Sequence, residues 1–281
     1  VTQAKRPLGW AGSVFVIVME NHSSGEIIGS PDAPTINALA SGGAVAAGYH
    51  DPYVHPSEPN YLWMVAGENF GILNDNDPGP ANTIASTSHV ADQIDQAGLT
   101  WRAYEEDMGT SCALVSHGNY AAKHDPFVYF DDLNGWDGAS FSPTERCRTH
   151  VVDFSQLPID ISNDEVPTYV FITPNLQHDM HDGTISEGDS WLASVLPMIQ
   201  SSPAYIRGGV IFLLWDEGSG QSDDPPFIVA SPNARHIVSD VAYDTSSFLL
   251  TAERILGIDE LPCSPSASST ASMDDLFSVK L

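Results

Sequence analysis

Continuous apolar runs punctuate this chain. Ser13–Met19 (SVFVIVM), Thr168–Thr173 (TYVFIT), Gly209–Trp215 (GVIFLLW) and Pro226–Ala230 are short and rich in β-branched and aromatic residues. Such runs predict strands covered on both faces, because a strand with one wet face alternates apolar and polar side chains. Between them the pattern shifts to helical spacing. Ala33–Ser41 stops at Gly42-Gly43, and Ser88–Ala97 has Ser88 as its cap and Gly98 as its stop. Ser190–Ser201 is a third helix, and Thr245–Leu256 a fourth, capped by Asp244 or Thr245 and stopped by Gly257. Ala44–Tyr49 and Thr100–Tyr104 read as shorter strands. Strands alternating with helices predict an α/β fold, a mostly parallel sheet with helices on both faces.

Three stretches break the pattern. Residues 68–86, rich in Gly, Asn, Asp and Pro, read as loop. From Glu105 to about Val151 the periodicity is lost, a loop-rich excursion within a single domain spanning 1–281. An insertion of that kind shapes a site or a lid. Residues 262–274 are rich in Ser, Pro and Ala and read as a loose tail.

Composition narrows the function. The 281 residues carry 10 Lys+Arg against 37 Asp+Glu, a net charge of −27. That excludes nucleic-acid binding led by phosphate contacts and docking on anionic lipid. It leaves solubility outside the cell and the binding of divalent cations. No apolar run reaches the length needed for stable membrane insertion. Cys112 and Cys147 bracket the excursion, so one disulfide there fits an exported protein, with Cys263 left over. The expected location is secreted, periplasmic or cell-surface, with a signal peptide removed.

The chemistry gathers where strands end. Glu20-Asn21 follows the first apolar run, Asp216-Glu217 follows Gly209–Trp215, and Asn175–Asp182, holding His178, Asp179 and His181, follows Thr168–Thr173. In a parallel sheet these ends share the carboxyl edge, where ligands bind. Neighbouring carboxylates repel, so they need a cation between them or a proton on one. Glu20, Asn21, Asp216 and Glu217, joined by Ser57, make an all-oxygen set suited to Ca²⁺, Mg²⁺ or Mn²⁺.

Ser57 belongs to His55-Pro56-Ser57-Glu58-Pro59-Asn60, a proline-pinned loop turning into a helix over Tyr61–Ala66. It falls just before the helix, whose free N–H groups and dipole attract phosphate. A serine there is also an ordinary N-cap. Its neighbours favour chemistry: a metal would turn its hydroxyl into a nucleophile. Asn60 is placed to donate to a phosphoryl oxygen, and His55 and His181 to protonate the leaving alkoxide. Lys123 is a candidate phosphate clamp, with His124 and His178 beside it as substrate-binding candidates.

Val16–Asn21 (VIVMEN), His55–Leu62 (HPSEPNYL), Tyr104–Met108 (YEEDM), Lys123–Tyr129 (KHDPFVY), Thr173–Gly183 (TPNLQHDMHDG) and Trp215–Gly218 (WDEG) occur in order over about residues 13–257. Together they resemble the phosphoesterase family of acid phosphatases and non-specific phospholipases C. The resemblance implies an alkaline-phosphatase-like fold, metal ligands at Glu20, Asn21, Asp216 and Glu217, a nucleophile at Ser57 in Ser-x-Pro-Asn, and catalytic residues in Asp179-Met180-His181. Gly218 stands where the phospholipases carry histidine, His178 where they carry asparagine, and Ser57 where they prefer threonine. The His55–Tyr61 form, His-Pro-Ser-Glu-Pro-Asn-Tyr, and the short chain are similar to the acid phosphatase branch. The expectation is a metal-dependent phosphomonoester hydrolase working through a phosphoserine at Ser57 on a small phosphorylated substrate. The alternatives are a phospholipase C-type phosphodiesterase and a catalytically silent metal-binding extracellular module.

Overall fold

A computed structural model of the chain describes residues 5–220, 223–261 and 271–281. The described strands are Val14–Met19 (β1), Ala44–Ala46 (β2), Tyr49–His50 (β3), Trp101–Glu105 (β4), Val151–Asp153 (β5), Tyr169–Thr173 (β6), Val210–Trp215 (β7), Phe227–Ala230 (β8), Ile237–Ser239 (β9) and Tyr243–Asp244 (β10). Eight form one sheet in the order β5-β4-β6-β1-β7-β8-β2-β9, while β3 and β10 pair separately. From β5 to β7 every pairing is parallel; β8 runs antiparallel between β7 and β2.

The strand β1 is central and wholly buried. Alternate residues of a strand point to opposite faces, and both faces are covered here. Val14, Val16 and Val18 pack with Tyr61, Leu62 and Phe248; Phe15, Ile17 and Met19 pack with Ile36, Leu39, Trp191 and Leu192. Helices Ser57–Ala66, Val90–Gln96 and Thr245–Leu256 therefore lie on one face, and helices Pro34–Gly42, Gln156–Asn163 and Ile185–Gln200 on the other. This is the α/β arrangement the apolar runs predict.

Several boundaries differ from the sequence expectation. Ala44–Tyr49 is two strands separated by a turn at Ala47-Gly48, where an added Cβ on Gly48 would lie 2.5 Å from the Val241 carbonyl oxygen. Ser88 is not a cap; His89 holds that place and the helix begins at Val90. The helix expected from Ser190 starts at Ile185, set by a capping box between Thr184 and Glu187. Asp244 caps the last long helix and Gly257 ends it, as read. The edge strand β5, the helix Gln156–Asn163, and the strands β9 and β10 escape the apolar pattern. They are short, and Pro158 interrupts the helical reading.

The excursion is no bare loop. It contains 3₁₀ turns at Ala122–His124 and Pro126–Tyr129 and helices at Asp131–Asn134 and Glu145–His150. Phe127, Val128, Tyr129 and Phe130 are fully buried within it, so it contributes core as well as edge. Cys112 and Cys147 are joined by a disulfide. Cys263 and most of the expected loose tail lie outside the described residues. The part of that tail at 271–274 is not loose, since Met273 is buried and leads into Leu276 and Phe277, which close over Trp10.

Candidate active site

The parallel register carries Glu20-Asn21 (after β1), Asp216-Glu217 (after β7) and the 174–183 segment (after β6) to one edge. Asn21 has a left-handed backbone with φ of 48°, and Met180 one with φ of 83°. Asparagine tolerates that region; for Met180 it is unusual and holds Asp179 and His181 on either side of a tight turn. Gly188 in the neighbouring helix leaves the room, because a Cβ there would come within 2.6 Å of the Met180 side chain.

Ser57 is the first residue of its helix, and the cap position is Pro56, with no side-chain capping bond. The Ser57 hydroxyl instead donates to Glu20 Oε2 at 3.0 Å, and both residues are buried. This removes the ordinary-cap reading. The Asn21 backbone N–H donates to Asp216 Oδ1 at 3.2 Å. With its amide nitrogen turned toward them, the Asn21 carboxamide is within donating distance of Glu20 Oε2, Asp216 Oδ1 and Glu217 Oε1, at 3.0, 3.2 and 3.3 Å.

Histidines complete the cluster. His55 Nδ1 pairs with Glu217 Oε2 at 2.5 Å, leaving its buried Nε2 without a hydrogen-bond partner. His124 is buried between Glu20 and Asp179, with Nε2 3.3 Å from Glu20 Oε1 and Nδ1 3.2 Å from Asp179 Oδ2. The Tyr61 ring stacks on it, centroids 5.1 Å apart. Lys123 Nζ donates to His181 Nε2 at 3.2 Å, so the His181 proton sits on Nδ1, which donates to Asp182 at 2.8 Å. Asn60 donates to Val54 O at 2.7 Å and to Glu217 Oε2 at 3.1 Å, so it braces the loop and a carboxylate.

The electrostatics are those of a cluster lacking positive charge. Burial, reinforced by Asp216 and Asp179, pushes the Glu20 carboxyl well above its ordinary range. Burial raises Asp216 and Asp179 each to about 7. Burial and then Asp216 raise Glu217 to about 9. Burial, with Lys123 next, drives the His124 imidazole well below its usual value, so it is neutral and free to ligate. Two carboxylates about 4 Å apart at an effective dielectric of about 20 repel by about 4 kcal/mol.

A divalent cation would offset that repulsion. Glu20 Oε1, Asp179 Oδ2, Asp216 Oδ2, Asn60 Oδ1 and His124 Nε2 are buried without hydrogen-bond partners. Glu20, His124 and His181 offer ligand atoms within 4.8 Å of one another. Orphaned buried donors of this kind fit one or more divalent cations, with Glu20 common to an oxygen group and an imidazole group. His124, expected to bind substrate, also stands among the candidate ligands. His178 lies apart from the cluster: its ring pairs with Glu106 at 2.8 Å and stacks on Trp191.

Three residues gained no role from the sequence. Tyr61 packs the His124 ring, and Glu106 ties the 175–182 segment by accepting from Asn175 N, His178 Nδ1 and Trp191 Nε1. Asp75 pairs with Lys123 at 2.8 Å. Glu106 falls in the quoted YEEDM block, which was its only signal; Asp75 lies in a stretch read as plain loop.

The sheet order, the covered faces and this carboxylate-lined edge define an α/β protein of the alkaline-phosphatase-like fold. The profile of the phosphoesterase family matches residues 30–259, and the chain belongs to that family. It is 32% identical over 247 residues to a phosphatidylinositol-3-phosphatase of Mycobacterium tuberculosis, covering 87% of this chain and 77% of that one. It is 31% identical to an acid phosphatase of Aspergillus fumigatus, over 64% of this chain and 39% of that one. A Vibrio parahaemolyticus structure of the alkaline phosphatase superfamily superposes with a TM-score of 0.61 at 11% identity, over 98% of this chain and 72% of that one. A murine ectonucleotide pyrophosphatase/phosphodiesterase 5 superposes with 0.63 at 12% identity, over 95% and 100%. The chain is thus a hydrolase acting on phosphoric esters. Among the described residues no helix is long and apolar enough to cross a membrane.

Proposed function

We propose that the protein is a metal-dependent phosphomonoesterase that forms a phosphoserine at Ser57. The observation that carries this is the Ser57–Glu20 hydrogen bond at 3.0 Å, made at the start of a helix where a mere cap would bond to the backbone. The Mycobacterium tuberculosis relative, named for a phosphomonoester substrate, supports the same class.

In this reading Glu20 Oε2 holds the hydroxyl proton of Ser57, which aims the remaining lone pairs of Oγ at phosphorus. The P–O bond to the departing alcohol breaks as the Oγ–P bond forms. His55 Nε2, the unpartnered edge of an imidazole steadied by Glu217, supplies the proton the leaving alkoxide takes up. Lys123 offsets phosphoryl charge, and Asn60 keeps Glu217 in place. Water then attacks the phosphoserine: one of its protons passes to His55 Nε2, the Oγ–P bond breaks as Glu20 Oε2 returns its proton to Ser57 Oγ, and phosphate leaves. Glu20, Asn21, Ser57, Asp216 and Glu217, with His124, Asp179 and His181, would hold the divalent ions, which supply Lewis-acid charge neutralisation to such a centre. The small phosphorylated substrate fits this pocket chemistry, and the Cys112–Cys147 bridge supports an exported protein.

The test is hydrolysis of p-nitrophenyl phosphate beside p-nitrophenyl phosphorylcholine, with and without EDTA, with Ser57→Ala as control. Release from the monoester that needs both metal and Ser57 is the expected result. Preference for the choline diester would move the protein to phosphodiesterase chemistry. Silence on both, with Ca²⁺, Mg²⁺, Mn²⁺ and Zn²⁺ each restored, would leave a metal-binding module.

A further inference from the structure

Asp75 occupies the donors that a phosphoryl group on Ser57 would want. Its Oδ1 accepts from the backbone N–H of Glu58, the residue after Ser57 in the first turn of the helix, at 3.0 Å. Its Oδ2 accepts from Lys123 Nζ at 2.8 Å. A carboxylate bridging a helix N-terminal N–H and an ammonium mimics two oxygens of a phosphoryl group.

The placement is built rather than incidental. Asn82 is buried and donates to both carboxylate oxygens of Glu58, at 3.0 and 3.1 Å. Asn74 donates to the Asn82 carboxamide oxygen at 3.2 Å, and Tyr129 donates to the Asn76 carbonyl at 3.0 Å. Asn82 also donates to the Asn76 carbonyl, so the residues on either side of Asp75 are pinned through Asn82 to Glu58 of the helix that begins at Ser57. The Asp75 side chain itself keeps 27% exposure, and the Lys123 side chain 16%. Asp75 can therefore leave its two donors for solvent while its backbone stays in place.

We propose that Asp75 sets phosphate affinity, as an internal anion that competes with phosphate for Lys123 and the helix N-terminus and so keeps the product weakly held. The inference rests on the reading of Ser57 as the phosphoryl acceptor. A residue that only steadied Lys123 would have the opposite effect on removal, since the lysine would lose its anchor and phosphate would bind more weakly.

Titration of the full chain with inorganic phosphate, followed by calorimetry with Mg²⁺ in every sample, separates the two. Asp75→Asn and Asp75→Ser are each expected to bind phosphate about tenfold more tightly than the unmutated protein. The gain should shrink to less than about twofold in a Lys123→Met background, where one contested donor is gone. Unchanged or weaker binding in both Asp75 variants would overturn the proposal, as would a gain that persists undiminished without Lys123. In the unmutated protein, saturating phosphate should shift the ¹³C resonance of the Asp75 carboxyl; a resonance that stays still would also overturn it, whatever the variants' folding. Neither readout needs turnover, so a chain silent toward both p-nitrophenyl esters still passes or fails this test on its own.

Discussion

Ser57 Oγ and Glu20 Oε2 lie 3.0 Å apart although 37 residues separate them in the chain. One sits at a helix start and the other just after the central strand β1, and the packing of that helix on β1 brings them together. Both are buried, so the bond is shielded from water and its strength is that of a low-dielectric contact.

Removing that hydroxyl should remove the chemistry and little else. Ser57→Ala is expected to lower kcat/KM toward p-nitrophenyl phosphate by at least about 10³-fold, the scale for loss of a nucleophile. The melting temperature should stay within a few degrees, since the substitution deletes one oxygen. Steady-state rates alongside a thermal melt check both halves; a variant as active as the parent would remove Ser57 from the mechanism.

Metal removal should be felt in stability as well as rate. A ligand at about a hundred times its dissociation constant stabilises the state it binds by about 2.7 kcal/mol. Dialysis against EDTA should therefore lower the melting temperature by several degrees and abolish turnover, with both restored by one divalent ion. Scanning calorimetry with each ion added back reads the first effect directly.

The metal-free protein should also lose stability as pH rises. Burial raises Asp216 and Asp179 to about 7 and Glu217 to about 9, and Glu20 moves the same way. An unfolded carboxyl titrates near 4. With the folded value above the unfolded one, the folded state holds more protons between them. The stabilisation is complete below about pH 4 and is lost on passing upward through pH 7 to 9. Melts of EDTA-treated protein from pH 5 to 9 should fall steadily. Glu217→Gln should flatten the upper part of that fall, and a slope equal to that of the unmutated protein would contradict the assignment.

The bridge between Cys112 and Cys147 closes a loop of 35 residues that contains Lys123 and His124. Loop closure of that length constrains the unfolded chain by about 3–4 kcal/mol. The Cys112→Ser/Cys147→Ser pair should therefore melt at least several degrees lower. Its KM for p-nitrophenyl phosphate should rise, because the segment carrying the lysine is less firmly held; an unchanged KM with a lowered melting point would confine the disulfide to stability.

Much of the edge was legible because its strands are. The run SVFVIVM ends where Glu20 begins, and GVIFLLW ends at Asp216, so their shared edge follows from the parallel sheet that both runs predict. The loop that turns into a helix at Ser57 was legible too, through Ser57, Pro59 and Asn60. The short strands β5, β9 and β10 were not. Each has two or three residues, too few to show a period, and their pairing is decided by neighbours distant in the chain.

Residue types and their order along the chain determined the sheet's central strands, the two carboxylate-bearing ends and the serine between them, because local hydrophobic period and turn chemistry are properties of adjacent residues. Tertiary structure alone decided the rest. It set His124 between Glu20 and Asp179, turned His178 toward Glu106, and laid Asp75 across Lys123 and the Glu58 N–H. Those contacts depend on how the excursion and the 68–86 loop fold back over the edge. Their directions come from packing and burial, which no run of neighbouring residues encodes.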